Sequence, residues 1–96
     1  MCVLQIYICD DEIEILNFIK KEIDNQVLIQ DYDMKVCSCH TNPIDLMKDI
    51  TNSKTRRNLY FLDVELKNKK YDGFLLGKAI RNIDPHATIV YITSYK

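Results

Sequence analysis

The chain has 96 residues, of which 47% are hydrophobic and 28% charged, a composition typical of one ordinary globular domain and unlike that of a disordered protein. Its formal net charge of -1 argues against a nucleic-acid-binding surface, where an excess of lysine and arginine is expected. No apolar run approaches the ~20 residues needed to span a bilayer, and no secretion leader is recognisable, so we expect a cytoplasmic protein without membrane contact.

The cysteines favour buried thiols over disulfides or a metal site. There are four of them, Cys2, Cys9, Cys37 and Cys39. Without a secretion signal, a disulfide framework is disfavoured. The run from Cys37 to His40 also lacks the two- to four-residue separation that is usual between zinc-binding cysteines. We therefore expect small, apolar, buried cysteines on strands.

The first half of the sequence begins with a strand, a helix and a second strand. Apolar residues 3–9 predict a buried strand that ends at three consecutive acids, residues 10–12. Apolar positions then recur at helical spacing, which predicts a helix that begins at these acids. Asp11 and Glu14, three residues apart, suggest a capping box at its start. In residues 33–40, apolar and polar positions alternate more loosely, which predicts an outer strand.

A second helix and a central strand follow. Asn42-Pro43 is typical of a helix start, because proline is tolerated in the first turn. Residues 52–58 are polar and basic and indicate a loop. Residues 59–64 are apolar at both odd and even positions, which predicts a strand covered on both faces.

The last third of the sequence predicts one more loop, helix and strand. Residues 67–70 are polar and rich in lysine, Gly73–Ile83 has the apolar positions of a helix, and Asp84-Pro85 ends that helix. Residues 87–93 predict a fourth strand of central character. The order β-α-β-α-β-α-β predicts an α/β fold with a doubly wound parallel sheet and right-handed crossovers.

Polar residues stand at the carboxyl ends of the predicted strands. Asp10 and Asp11 follow the first strand, Asp63 ends the third, and Thr93-Ser94 ends the fourth. Ligands of open α/β sheets bind beyond these ends, so the side chains should converge. Three neighbouring carboxylates repel one another, and a hard divalent cation such as Mg²⁺ would relieve that repulsion.

Asp63 is the best candidate nucleophile of this group, because it is single, central and flanked by apolar residues. A carboxylate beside a cation can accept a phosphoryl group and become an aspartyl phosphate. Asp10 and Asp11 suit the cation better. The Thr93 hydroxyl could hydrogen-bond a phosphoryl oxygen. A charged group at the end of an apolar strand seldom persists without a partner, which favours a functional role for Asp63.

Four segments resemble the corresponding segments of response-regulator receiver domains of two-component systems. They are residues 6–12 (IYICDDE), 60–66 (YFLDVEL), Asp72-Gly73, and 89–94 (IVYITS). The Cys-Asp-Asp-Glu run, the extended loop before Asp72-Gly73 and the Thr-Ser pair most resemble the LytR/AgrA-type regulators, which are linked to LytTR domains. The resemblance covers residues 1–96 as one receiver domain. It implies a flavodoxin-like fold with strand order 2-1-3-4(-5).

The resemblance also implies roles for individual residues. Asp63 matches the phosphoacceptor and Thr93 the switch hydroxyl. Mg²⁺ would be held by Asp10, Asp11, Asp63 and the backbone carbonyl of Glu65. A sensor histidine kinase would be the partner. The chain would undergo self-phosphorylation and slow autodephosphorylation rather than enzymatic turnover. It would regulate transcription through a LytTR-type DNA-binding output domain outside this chain, which would not itself bind DNA.

The sequence departs from the family pattern in two respects. Receivers carry a lysine at the end of a fifth strand, followed by a fifth helix, and we expect this chain to stop before both; neither Lys78 nor Lys96 matches that lysine. The loop between Asp63 and Gly73 is also longer than in the commonest receivers. A fourth strand left at the edge would favour a homodimer through its unpaired backbone, and the isolated chain should switch weakly.

Other interpretations of the same residues stay open. Acids at residues 10–12 are also favoured at a helix start by the helix dipole alone. A phosphohydrolase of the haloacid-dehalogenase type uses an aspartyl nucleophile and Mg²⁺ as well, although its nucleophile lies in an Asp-x-Asp on the first strand. A phosphorylation-independent interaction module is the third alternative. We expect the basic loops, His40 and His86 to be solvated surface.

Overall fold

Four strands alternate with three helices in the computed structural model, which describes residues 4–93. In chain order they are β1 (Leu4–Cys9), α1 (Ile13–Gln30), β2 (Met34–His40), α2 (Pro43–Asn52), β3 (Leu59–Asp63), α3 (Gly73–Ile83) and β4 (Thr88–Ile92). The predicted α/β order is confirmed. Cys2, Val3, Ser94 and Lys96 lie outside the described residues. Within residues 4–93, no helix combines the length and apolar character that crossing a membrane requires.

The strands form one parallel sheet in the order β2-β1-β3-β4, which confirms the predicted order. β1 and β3 are internal, and β2 lies at one edge as expected. Within residues 4–93, β4 forms the other edge of the sheet and exposes Val90 and Tyr91, so the strand of predicted central character has one neighbouring strand there. A short apolar run does not by itself report how many strands flank it.

Two apolar clusters cover the two faces of the sheet. On one face, a buried cluster joins β1 and β3 to α2 and α3 and includes Tyr7, Leu46, Tyr60 and Leu76. Its two tyrosine rings stack with their centroids 5.3 Å apart. On the other face, Ile6, Ile8 and Leu16 join β1 to α1. β1 is therefore buried on both sides, which fixes the position of the residues that follow it.

The start of α1 differs from the prediction. Its N-cap residue is Glu12, which makes no side-chain capping hydrogen bond, so the capping box predicted for Asp11 and Glu14 is wrong. The Asp11 carboxylate instead accepts a hydrogen bond from the backbone N–H of Lys67 at 3.0 Å. Asp11 therefore bonds the loop that follows β3, and Glu12 takes the N-cap position of α1.

The helices that follow do begin at side-chain caps. Asn42 Oδ1 accepts a hydrogen bond from the Ile44 amide at 2.9 Å, directly before Pro43, as the sequence predicts. Asp72 Oδ1 accepts one from the Leu75 amide at 2.8 Å and caps α3. These caps satisfy amide groups that have no partner within the first turn of a helix.

The cysteines follow the prediction only in part. Cys9 is fully buried as expected, whereas Cys37 is exposed and Cys39 half-buried; none of the three forms a disulfide. The exposure of Cys37 has a local cause. The register between β1 and β2 shifts so that Val36 pairs with Ile6 and Ser38 with Tyr7, which leaves Cys37 as the extra residue of a bulge.

A buried carboxylate organises the amino-terminal edge of the sheet. Asp84 is 1% exposed, and its oxygens accept hydrogen bonds from the amides of Arg57 and Asn58 at 2.6 and 2.9 Å. The hydroxyl of Tyr60 donates a third hydrogen bond to Asp84, at 3.0 Å. This network ties the end of α3 to the loop before β3.

Replacing Asp84 by alanine should lower the free energy of unfolding by about 3 kcal/mol, because it leaves buried donors of Asn58 and Tyr60 without acceptors. Asp84→Asn, which retains one acceptor oxygen, should lose less. Urea denaturation measures both, with exposed Asp33→Ala as the control. Equal stabilities of Asp84→Ala and Asp33→Ala would show that the network contributes nothing.

Candidate functional site

Three carboxylates meet at the carboxyl-terminal edge of the sheet. Asp10 and Asp11 follow β1, and Asp63 ends β3, its neighbour in the sheet. One carboxylate oxygen from each acid lies within 4.8 Å of those of the other two. We call these residues the acid cluster. Over residues 4–93, it is the only group of three or more such side chains close enough to share a metal ion, so the run from Cys37 to His40 forms no comparable site.

Asp10 is held in place by the backbone. Its amide donates to the carbonyl oxygen of His40 at 3.1 Å, and its Oδ1 accepts from the Glu12 amide at 2.9 Å. The residue is only 2% exposed. Burial raises the pKa of Asp10 to about 6; the Glu12 amide opposes that rise, and the charges of Asp63 and Asp11 add to it.

Asp63 is fixed in a similar way. It is 6% exposed, and its Oδ1 accepts a hydrogen bond from the Glu65 amide at 3.0 Å. Burial raises the pKa of Asp63, the Glu65 amide opposes the rise, and the neighbouring Asp11 carboxylate adds to it. Two of the three acids thus resist ionisation in the absence of a cation, as expected for clustered carboxylates.

Asp11 links the acid cluster to the long loop between β3 and α3. Its Oδ2 accepts from the Lys67 amide at 3.0 Å, across 56 positions of sequence. Next to that contact, Leu66 is buried in the core, and Asn68 Oδ1 accepts from the amides of Lys70 and Tyr71. The long loop is therefore an ordered part of the site.

Gly73 brings α3 against the end of β3. A Cβ atom at this position would overlap the carbonyl oxygen of Asp63 and would lie 2.6 Å from the Cα of Val64. The Gly73 amide lies 3.4 Å from the carbonyl oxygen of Val64, to which it donates. A side chain here would therefore push α3 away from the backbone that carries Asp63.

The other residues assigned from the sequence lie at the same edge. Ile92 of β4 pairs with Asp63, and its carbonyl oxygen accepts from the Val64 amide at 3.1 Å. Thr93 follows Ile92 directly and is exposed. Glu65 is also exposed and contributes its amide to Asp63. Ser94 lies outside the described residues.

A polar cluster beside the site was not foreseen. The side chain of His40, expected at the surface, is only 20% exposed, and its Nε2 lies 3.0 Å from Oδ2 of Asp49. Ser38 Oγ donates to the same oxygen at 2.6 Å. The Ser38 hydrogen bond above all, helped by His40, holds the pKa of Asp49 below its usual value. These contacts join β2 to α2, and no local sequence pattern predicts that pairing. His86 is exposed as expected.

The raised pKa values make the stability of the metal-free chain depend on pH. The pKa of Asp10 is about 6 in the folded state, whereas its ordinary value is 3.8. Between these two pH values, the folded state therefore binds more protons than the unfolded state. The contribution of Asp10 to stability therefore falls as pH rises through this window.

Asp10→Asn, whose amide oxygen can still accept from the Glu12 amide, should be more stable than the parent at pH 7.5 and lose that advantage below pH 4. Denaturation in a chelator measures the difference, with Asp33→Asn as control; a pH-independent difference would contradict the assignment.

Comparison with known proteins gives both sequence and structural relatives. No protein-family model matches the chain. Accessory gene regulator protein A of Staphylococcus aureus is 28% identical over 92 residues, which cover 96% of this chain. The Staphylococcus epidermidis protein of the same name is 26% identical over 94 residues. The chain spans 38% of the length of these curated relatives.

Solved structures show the same fold. RcsB from Salmonella enterica serovar Typhimurium, bound to promoter rprA in the presence of phosphomimetic BeF3⁻, has a TM-score of 0.76 at 20% identity; the match covers 99% of this chain and 50% of that chain. The MaeR response regulator bound to beryllium trifluoride has a TM-score of 0.68 at 17% identity, with 97% and 69% covered.

Three findings point toward the response regulators. The sequence similarity covers 96% of the chain, the strands have the order 2-1-3-4, and three acids meet at the carboxyl-terminal edge of the sheet. The chain has the fold of the response regulators RcsB and MaeR and is similar in sequence to accessory gene regulator protein A, which together support a response-regulator receiver domain.

Proposed function

We propose that this chain is a phosphorylation-dependent signalling switch in which Asp63 accepts a phosphoryl group while Asp10 and Asp11 hold Mg²⁺. The observation that carries the proposal is the acid cluster, in which carboxylate oxygens from two neighbouring strand ends lie within 4.8 Å of one another. Such a cluster has a physical reason to bind a cation, because burial and mutual repulsion raise the pKa values of Asp10 and Asp63.

The donor set fits Mg²⁺ better than a softer metal. All three side chains offer carboxylate oxygens, and Mg²⁺ prefers oxygen ligands from one or two carboxylates together with water and phosphate. Asp10, Asp11 and Asp63 would hold the ion, and the backbone carbonyl of Glu65 would complete the set. When bound, Mg²⁺ would offset the negative charge on the transferred phosphoryl group.

Three observations support Asp63 as the nucleophile. It lies on a central strand, it is nearly buried, and the Glu65 amide fixes one of its oxygens. In transfer from a phosphohistidine, a P–O bond forms to Asp63 as the P–N bond breaks, and the imidazole nitrogen keeps the electron pair and takes up a proton. The product is an aspartyl phosphate. The phosphoryl donor would be a sensor histidine kinase.

Thr93 would report the modification. It follows the residue that pairs with Asp63, at the same edge of the sheet. A hydrogen bond from its hydroxyl to a phosphoryl oxygen would draw the end of β4 toward Asp63 and change the surface around it. The output would be a LytTR-type DNA-binding domain that regulates transcription in the intact cytoplasmic protein. The receiver alone would be a single domain that catalyses only its own phosphorylation and slow dephosphorylation.

Intact-mass measurement after treatment with a small-molecule phosphodonor and Mg²⁺ tests the proposal. We expect one added phosphoryl group in the parent and in the control Asp33→Asn, and none in Asp63→Asn. Addition of an equal mass to Asp63→Asn would reject Asp63 as the acceptor. Sustained release of phosphate from a chromogenic ester would instead favour the phosphohydrolase alternative.

A further inference from the structure

We propose that the loop before β3 is a binding site for a compact phosphate-bearing anion, separate from the acid cluster. Lys54, Arg56 and Arg57 belong to the lining of a cavity of about 490 Å³, together with Leu4, Gln5, Thr55 and Asn58. None of the described residues that line this cavity carries a carboxylate. Three cationic residues in one lining, without a counter-charge among the described lining residues, favour an anionic ligand.

The cavity lies at the opposite end of the sheet from the acid cluster. Leu4 begins β1, and Leu59, which follows the loop, begins β3. The acid cluster stands at the other ends of these same strands. A five-residue strand spans roughly 15 Å, so the two sites cannot share a small ligand. The inference is therefore independent of the function proposed for Asp63.

The cationic side chains stand on an ordered loop. Arg56 Nη1 donates to the carbonyl oxygens of Ser53 and Thr55 at 2.9 and 2.7 Å, which positions the guanidinium before any ligand arrives. Thr55 is itself held by Ser53, whose Oγ accepts from the Thr55 amide at 3.2 Å. A guanidinium fixed in this way loses little conformational entropy on binding, and its planar fork suits phosphate oxygens.

Arg57 adds a second observation. Its φ of 62° lies in the left-handed region, which is uncommon for a residue other than glycine, asparagine or aspartate. Asp84 holds it there by accepting from its amide at 2.6 Å. The oxygens of Asp84 also accept from Asn58 and Tyr60, and the residue is 1% exposed, so this carboxylate lies beneath the loop and is not among the residues that line the cavity. The backbone that carries Arg57 is therefore held by the buried network and does not depend on a ligand for its conformation.

Calorimetric titration with inorganic pyrophosphate, in a chelator and without Mg²⁺, tests the inference. We expect saturable binding to the parent chain and at least about tenfold weaker binding to the double variant Lys54→Gln/Arg56→Gln, because two charge-assisted contacts are lost. The matched control is Lys21→Gln/Lys78→Gln, which removes two exposed lysines from α1 and α3. Asp63→Asn should bind as the parent does, which separates this site from the acid cluster.

The source of the phosphate is distinguished by parallel titrations with a nucleoside triphosphate and with duplex DNA at equal phosphate concentration. Tighter binding of the nucleoside triphosphate, lost in Lys54→Gln/Arg56→Gln, would support the site and identify its natural ligand class, whereas tighter binding of duplex DNA would overturn the inference of a compact ligand. No saturable binding of any of the three, or equal loss in the lysine control, would overturn the inference. Circular dichroism of each variant confirms that the fold is retained.

Discussion

Gly73→Ala should lower the free energy of unfolding by about 3 kcal/mol and weaken the acid cluster, because the new Cβ would overlap the backbone carbonyl of Asp63. The obstructing atoms belong to backbone and cannot rotate away. The shift needed to relieve the overlap would separate α3 from β3 at the strand end that carries Asp63. Urea denaturation measures the loss of stability, and phosphodonor labelling measures the effect on the site.

Gly77→Ala is the matched control within the same helix. There, the added Cβ would meet the end of the Tyr91 side chain, whose ring is half-exposed and can move. Alanine also favours the helix over glycine by about 1 kcal/mol. We therefore expect little net change in stability. If the two alanine variants were equally stable, the close approach of α3 to Asp63 would be unimportant.

Asp11→Asn should weaken Mg²⁺ binding at least about tenfold, because it removes one negative charge from the metal-facing group. The asparagine oxygen can still accept from the Lys67 amide, so the long loop should stay in place. Phosphodonor labelling of Asp63 should then require more Mg²⁺ and recover at high Mg²⁺. Labelling rates over a range of Mg²⁺ concentrations provide the measurement.

Asp11→Ala separates the two roles of this residue. It removes the metal ligand and also the acceptor for Lys67, so amide hydrogen exchange at Lys67 should accelerate in the alanine variant and not in the asparagine variant. A labelling reaction with the same Mg²⁺ dependence in the parent and in both variants would exclude Asp11 from the metal site.

The fold could be predicted from short-range patterns. Local structure is predicted by the apolar runs of β1 and β3, by the Asn42-Pro43 helix start and by the helical spacing of apolar residues in α3. The alternation of strands and helices then predicts the parallel sheet. The acids were predictable for a related reason. Their positions directly after strands bring them to one edge whatever the details of packing.

The details of the site depend on contacts between residues far apart in sequence. The bond from Lys67 to Asp11 spans 56 positions and that from Asn58 to Asp84 spans 26, and no periodicity reveals either. The steric role of Gly73 depends on how closely α3 approaches β3. The edge position of β4 depends on which strands flank it and not on its composition.

Titration of the isotope-labelled chain with Mg²⁺, followed by amide chemical shifts, tests the central claim most directly. We expect saturable shifts centred on Asp10, Asp11, Asp63 and the amides that bond to them, Glu12, Glu65 and Lys67, with the response lost or displaced to higher Mg²⁺ in Asp11→Asn. Shifts confined to other acids, such as Asp31 and Asp33, or no saturable response up to millimolar Mg²⁺, would contradict a magnesium-dependent phosphoacceptor site.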